Sequence, residues 1–262
     1  MGIEQIGMKA SLGYLLFSGN NPLRAKENII HALEKSFKLF VDAQPHLFTE
    51  NEQKEHMALS TTQPYWKLVL HGHMVGKYTG EEVIAITSKL AKDNNLFPKS
   101  AERYMVKRII NCIFNGSVLA RYTQPIESTR EIIQELSQQE EHTLFILSNY
   151  GKDAFESLSQ TSHGQSVLNY FDPNYRFISG FLGTKKPMLD TYNPIIEEAR
   201  RLGHEPDDII FIDDLHCNIA QAENHGITGY HYAGEKACGT KLREFLQEKG
   251  VLPESSLSKK PL

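Results

Sequence analysis

Two adjacent carboxylates, Asp213 and Asp214, have the clearest chemical potential in this sequence. They follow four apolar residues in IIFIDDLHCNIAQAENHG, a pattern that predicts a buried strand with both carboxylates at its tip. Adjacent carboxylates cost electrostatic free energy unless a cation or a basic group lies near them. Their hard oxygen atoms suit Mg²⁺. We therefore predict a metal site at Asp213 and Asp214, with two ordinary helix-capping aspartates as the alternative.

Two further polar segments could bind an anion. Ser148 and Asn149 lie between the apolar run TLFIL and a predicted helix. A hydroxyl at such a junction suits a phosphate, although an ordinary helix cap looks the same in sequence. Lys185 and Lys186 precede Pro187. A lysine that is held by a following proline could offset the charge of an anion, and two solvated surface lysines are the alternative.

These residues come at the ends of segments with strand patterns. Short apolar runs predict strands at residues 12–17, 143–147, 175–179, 209–213 and in TGYHYA. Helical patterns separate the later strands, which indicates a parallel sheet covered by helices on both faces. Ligands bind beyond the carboxyl ends of the strands in such sheets. We therefore expect Ser18, Ser148 and Asp213 to face one crevice.

A long helical segment, residues 24–120, separates the first predicted strand from the others; we call it the helical block. No strand-like alternation occurs between Thr49 and Phe114. Thr79 and Glu82 have the spacing of a capping box at the start of one of its helices. We predict that the helical block lies over the crevice as a cap.

The predicted organisation is an α/β core with an inserted helical domain. Residues 11–23 and 121–250 form the core, residues 24–120 the cap, and residues 251–262 a disordered tail.

Composition and charge restrict the class of protein. The 262 residues are enough for one large domain or for a core with a second lobe. A net charge of −4 gives no reason to expect nucleic acid or an anionic membrane surface as a partner, and no apolar run is long enough to span a membrane. The three cysteines form no CxxC pair, which favours a cytoplasmic protein with reduced thiols. Nothing in the sequence indicates an oligomeric state.

The order and spacing of the polar segments resemble the haloacid dehalogenase-like (HAD) superfamily. The match runs from residue 143 to about residue 232. Ser148 stands where the second motif of the family contacts phosphate, and Lys186 stands at the lysine of the third motif. Asp213 and Asp214 stand at the fourth motif, near the metal. The resemblance implies a Rossmann-like core with a mainly parallel sheet, a helical cap of the C1 type, Mg²⁺ as cofactor and a phosphorylated substrate.

The first motif departs from the pattern of the family. The family has Asp-x-Asp after its first strand, whereas this chain has Ser18 at the nucleophile position and Asn20 at the acid/base position. A serine needs a base to activate it, and its phosphoserine product would resist hydrolysis. An asparagine side chain cannot act as a general acid or base. The loss of a carboxylate also weakens the expected Mg²⁺ site without excluding it.

Two other patterns allow alternatives. Asp42 follows the apolar run FKLFV and could end the first motif instead, but this run keeps the spacing of the preceding helix. His71 and His73 could indicate a second metal site, but residues two apart do not share a helix face. We therefore favour a helical position for Asp42 and solvated or core positions for the two histidines.

Three functions remain as hypotheses. We favour a HAD-like protein with lost or severely reduced hydrolase activity that binds a phosphorylated or anionic small molecule through Ser148, Asn149 and Lys186. The first alternative is an active phosphatase-type or dehalogenase-like hydrolase with an atypical first motif, in which Lys186 would be catalytic. The second is a protein-interaction module in which the site is vestigial.

Overall fold

The computed structural model describes residues 22–59, 64–96, 100–232 and 238–253. The predicted first strand, Ser18, Asn20 and residues 254–262 of the predicted tail lie outside the described residues. Among the helices of the described part, none combines the length and the apolar character that crossing a membrane requires.

The first half of the described chain is helical, as the sequence predicted. Its helices are α1 (Pro22–Ala43), α2 (Glu50–Leu59), α3 (Pro64–Met74), α4 (Gly80–Asp93), α5 (Ser100–Phe114) and α6 (Gly116–Tyr122). The predicted capping box is present: Glu82 Oε2 accepts from the Thr79 N–H at 2.7 Å, and Thr79 Oγ1 accepts from the Glu82 N–H at 3.2 Å.

An aromatic cluster forms the core of the helical block. Phe37, Phe40 and Phe114 are fully buried. The Phe37 and Phe114 ring centroids lie 5.9 Å apart, a separation typical of favourable aromatic pairs. The helical spacing of the apolar residues in α1 places Phe37 and Phe40 on the buried face.

The second half of the chain alternates strands and helices. The strands are β1 (Ile146–Ser148), β2 (Arg176–Ile178), β3 (Ile210–Asp213) and β4 (Thr228–His231). The helices are α7 (Glu127–Leu136), α8 (Lys152–Ser159), α9 (Ser162–Leu168), α10 (Ser179–Leu182), α11 (Asn193–Arg201), α12 (His216–Glu223) and α13 (Cys238–Glu248). Strand β1 pairs in parallel with β2, and β3 pairs in parallel with β4. The described structure therefore confirms the predicted α/β class.

The structure differs from the sequence-based expectation in three ways. Leu252 lies in the predicted disordered tail, residues 251–262, but it is buried and packs in the core with Leu242 and Leu246. Strand β1 begins at Ile146 rather than at the predicted Thr143. The short helices α9 and α10 were not predicted. Helix α9 contains Gly164, a poor helix former, and its start is fixed by Thr161 Oγ1, which accepts from the Gly164 N–H at 3.0 Å.

An apolar cavity lies between the two strand pairs. Its volume is about 340 Å³, and residues of both β1 and β3 line it, including Ile146, Leu147, Ile210 and Ile212. Ile210 and Ile212 are only partly buried, although they belong to a short apolar strand. Within the described residues, β1 and β3 have partners on one edge only. Apolar residues of both strand pairs thus line one cavity in the described part of the chain.

The helical block contacts the α/β part beside the loop between β1 and α8. Ser179 Oγ donates to the Met74 carbonyl at 2.6 Å and accepts from the Tyr150 N–H at 2.9 Å. On α8, Asp153 Oδ2 accepts from the Gly80 N–H at 2.9 Å. The loop that follows Ser148 is therefore packed directly against the helical block.

Candidate functional site

The carboxyl ends of β1 and β3 meet at a lysine. The Lys186 Nζ lies 2.6 Å from Asp213 Oδ2 and donates to the Leu147 carbonyl at 2.8 Å. Lys186 is 2% exposed and Asp213 is fully buried. Asp213 ends β3 and Lys186 lies in the loop after α10, so residues 27 positions apart in the chain form one buried ion pair at the carboxyl end of β3.

The backbone of Lys186 is held by Asn149. The Asn149 side-chain amide donates to the Lys186 carbonyl at 2.9 Å, and its Oδ1 accepts from the Lys186 N–H at 2.8 Å. Asn149 is itself buried. Lys186 is thus bound at its backbone by Asn149 and at its ammonium by the Leu147 carbonyl, the two residues that flank Ser148.

Ser148 presents a buried hydroxyl between these two anchors. The residue is 2% exposed, and its Oγ has no hydrogen-bond partner among the described residues. Most buried hydroxyls in folded proteins are paired, because an unpaired one costs free energy of desolvation. The tip of β1 therefore carries an unused hydrogen-bonding group next to a buried lysine.

Asp213 is the most constrained group of the site. Its Oδ1 accepts from the Leu215 N–H at 2.9 Å and from the Asn218 side-chain amide at 2.8 Å, while Oδ2 faces Lys186. Burial alone would raise the pKa of the Asp213 carboxyl, but the Lys186 ammonium and these hydrogen bonds outweigh burial and lower that pKa. Asp213 is therefore ionised at neutral pH.

Asp214 lies in a different environment. Asp214 is partly buried, and the Lys186 ammonium pairs with Asp213 rather than with Asp214. Burial, followed by the neighbouring charge of Asp213, raises the pKa of Asp214. Its carbonyl oxygen lies 3.0 Å from Nε2 of His231. The two adjacent aspartates thus differ in their partners and in the direction in which their pKa is shifted.

The described residues do not form a Mg²⁺ site by themselves. Both carboxylate oxygens of Asp213 already face donors. No group of three or more His, Cys, Asp or Glu side chains in the described part of the chain is placed to hold a metal ion. Asp213 and Asp214 could supply at most part of a coordination shell, for which Mg²⁺ requires near-octahedral oxygen geometry.

The structure brings four of the sequence-predicted site residues together: Ser148, Asn149, Lys186 and Asp213. Asp214 adjoins this group through Asp213. Ser18 and Asn20 lie outside the described residues.

The alternative first motif at Asp42 is excluded by its position. Asp42 lies in α1, where it is exposed and pairs with Lys38 at 2.5 Å. Of the two histidines in α3, His73 is buried against the Phe114 ring, with its Nδ1 3.9 Å from Asp153 Oδ1. His73 is thus a core residue at the contact between the helical block and α8.

Sequence reasoning missed two contributors to the site. The Leu147 carbonyl binds the Lys186 ammonium, and the Tyr192 hydroxyl donates to the Asn218 carbonyl at 2.8 Å. A backbone carbonyl carries no sequence signal. Tyr192 is buried at the start of α11, where an apolar core residue would give the same hydrophobic pattern.

The chain is similar to several solved structures. A predicted HAD-like family hydrolase from Porphyromonas gingivalis has a TM-score of 0.45 and 21% identity over 66% of this chain and 76% of that chain. A HAD family enzyme from Bacteroides thetaiotaomicron has a TM-score of 0.44 and 17% identity over 78% and 86% of the two chains. A complex of that enzyme with magnesium and inorganic phosphate has a TM-score of 0.43 and 19% identity over 63% and 74%.

No protein-family model and no curated protein sequence matches the chain. The solved structures to which the chain is similar are described as HAD-like or HAD family proteins.

Proposed function

We propose that this protein binds a phosphorylated or other anionic small molecule in the crevice at Ser148 and Lys186, and that its hydrolase activity is lost or severely reduced. The observation that carries the proposal is the Ser148 hydroxyl, which is buried and lacks a partner among the described residues, while both flanking residues bind Lys186. An anion that accepted a hydrogen bond from this hydroxyl would remove its desolvation cost.

Lys186 has the capacity for a third partner. An ammonium group donates three hydrogen bonds. Two of the Lys186 donors face the Leu147 carbonyl and Asp213 Oδ2. The remaining N–H could reach an oxygen of an anion that also contacts Ser148. Because Asp213 neutralises the lysine, the proposed binding depends on hydrogen-bond geometry more than on net charge.

The proposed position of Ser18 rests on the sequence. The apolar run 12–17, which precedes Ser18, is predicted to be a strand of the same parallel sheet as β1 and β3. A strand that ran parallel to these two would end beside Ser148 and Asp213. Ser18 and Asn20 would then stand at the crevice, where the resembled family has its nucleophile and its acid/base residue.

This placement is the reason for proposing reduced catalysis. Ser18 has no carboxylate with which to form a readily hydrolysed acyl phosphate. Asn20 has no titratable proton to transfer. The proposed binding also needs no metal ion, because Ser148 and Lys186 supply the donors.

The decisive experiment is a titration of inorganic phosphate and of a generic phosphate monoester by calorimetry, with and without Mg²⁺. We expect wild type to bind in both conditions and Ser148→Ala to bind at least about tenfold more weakly, with little change in stability because Ser148 Oγ has no hydrogen-bond partner among the described residues. Ser159→Ala, which removes an exposed hydroxyl that bonds only to its own helix, is the matched control.

Two results of this experiment would contradict the proposal. Equal phosphate affinity of wild type and Ser148→Ala would remove Ser148 from the binding site. Mg²⁺-dependent hydrolysis of the monoester that Asp213→Ala abolishes would establish an active hydrolase instead.

A further inference from the structure

The hydrogen bonds of the Asn149 side chain indicate its role. Its amide forms a closed pair with the backbone of a single residue, Lys186, through one donated and one accepted hydrogen bond of 2.9 and 2.8 Å. The orientation of the amide is unambiguous, because a flipped amide would place its NH₂ against the Lys186 N–H and its oxygen against the Lys186 carbonyl. The side chain thus recognises the peptide backbone on both sides of one Cα atom.

The position of that Cα decides where the ammonium lies. Lysine has four rotatable side-chain bonds, and ordering them costs up to about 2 kcal/mol of conformational entropy. A fixed backbone reduces the range of positions that Nζ can reach. In this structure Nζ reaches Asp213 Oδ2 and the Leu147 carbonyl at the same time.

The end of β1 therefore binds Lys186 at two points, the ammonium and the backbone. Leu147 binds the ammonium and Asn149 binds the backbone, while Ser148, between them, keeps its hydroxyl unpaired among the described residues. This three-residue arrangement sets the distance between the lysine and the serine hydroxyl. An anion that accepts hydrogen bonds from both groups binds more tightly when this distance is fixed before the anion arrives, because less conformational entropy is then lost.

We infer that Asn149 is a positioning residue, which fixes Lys186 for anion binding through the backbone of Lys186, rather than a residue whose main role is to contact the ligand. The inference rests on the proposed anion site for its functional consequence. Its structural consequence, a change in the environment of the Lys186 ammonium when Asn149 is truncated, is measurable without any ligand.

The experiment compares Asn149→Ala with wild type in the full-length protein by three measurements. The first is the rate of amide hydrogen exchange at Lys186. The second is the rate at which acetic anhydride modifies the Lys186 ammonium, relative to Lys89, which is 77% exposed and serves as the internal reference. The third is the affinity for inorganic phosphate.

We expect Asn149→Ala to accelerate both the amide exchange and the acetylation of Lys186 by about tenfold or more, because two buried hydrogen bonds to its backbone are lost. We expect phosphate affinity to fall by about tenfold. The matched control is Asn115→Ala, which removes the helix-capping bond from the Val118 N–H to Asn115 Oδ1 and lowers stability without touching Lys186. The control should leave the relative acetylation of Lys186 unchanged.

The outcomes separate this inference from the proposed function. If Asn149→Ala weakens phosphate binding while exchange and acetylation at Lys186 stay at wild-type rates, Asn149 contacts the ligand directly and the positioning role is wrong. If the amide exchange rate, the acetylation rate and the phosphate affinity all stay unchanged in Asn149→Ala, the positioning role of Asn149 is also wrong. If wild type binds no phosphate but Lys186 responds as expected, the positioning role stands and the proposed function fails.

Discussion

At the scale of single residues, the site consists of one buried ion pair and one unpaired hydroxyl. Lys186 and Asp213 are both almost completely buried, and each has further hydrogen bonds that offset its desolvation. Such a pair contributes little net stability compared with apolar residues, but leaving one member alone is costly. The pair therefore constrains which substitutions this site tolerates.

Breaking the ion pair is expected to destabilise the protein strongly. Lys186→Met leaves a buried, ionised Asp213, and we expect the free energy of unfolding at neutral pH to fall by about 3–5 kcal/mol in urea titrations. Adding Asp213→Asn should recover part of this loss, because the unpaired charge is then removed.

An exposed ion pair provides the control for that substitution. Lys89 and Asp93 lie on the surface of α4, with Nζ and Oδ2 3.0 Å apart. Lys89→Met should cost less than about 1 kcal/mol. A similar cost for Lys186→Met and Lys89→Met would show that the Lys186–Asp213 pair is not buried in solution.

At the scale of secondary-structure elements, the helical block is joined to the loop between β1 and α8. Ser179 bridges Met74 and Tyr150, and a Cβ at Gly151 in this loop would clash with the His73 imidazole ring of the helical block. Contacts this close require glycine and leave little space between the two parts. The same loop begins at Ser148 and Asn149, so the helical block supports the candidate site from one side.

The buried His73 in this contact predicts a dependence of stability on pH. Burial lowers the pKa of His73, and the nearby Asp153 carboxylate opposes burial only in part. The folded pKa thus lies below the unfolded value of 6.5, so the unfolded state binds more protons as the pH falls below 6.5. The stability contribution of neutral His73 is therefore present above pH 6.5 and is lost as the pH falls towards the folded pKa.

We expect the free energy of unfolding to fall between pH 7.5 and 5.5, and His73→Gln to reduce this slope by up to about 1.4 kcal/mol per pH unit. Urea titrations at several pH values measure the slope. His46→Gln, which replaces an exposed histidine in a short turn, is the control. If the free energy of unfolding changes with pH by the same slope in wild type and His73→Gln, the lowered pKa of His73 is contradicted.

At the scale of the whole molecule, two strand pairs surround an apolar cavity of about 340 Å³. The sequence predicts one further apolar strand, residues 12–17, and burial of its side chains would stabilise the core.

Removal of residues 1–17 tests the proposed position of the first strand. If the run 12–17 fills the cavity, the truncated protein should lose several kcal/mol of unfolding free energy or fail to fold, because its core stays open. Removal of residues 254–262, which are predicted to be a disordered tail, is the comparison and should change stability little. Equal stability of the two truncated proteins would show that the cavity is not the site of the first strand.

Much of the fold was predictable because it is encoded locally. Helix α12 and strand β3 were recognised from their hydrophobic spacing and from the polar residues at their ends. The limits of β1 were not predictable, since pairing with β2 decides which residues of an apolar run enter the strand. Helix α9 was missed because Gly164 weakens its helical signal.

The sequence by itself determined the alternation of strands and helices and the polar residue types at the strand ends, since both depend on local burial patterns. Only the tertiary structure decided that Asn149 binds the Lys186 backbone, that Lys186 pairs with Asp213, and that the Ser148 hydroxyl stays unpaired among the described residues. These contacts join residues that are distant in the chain, and the packing of the strand ends brings them together. A local pattern does not contain that information.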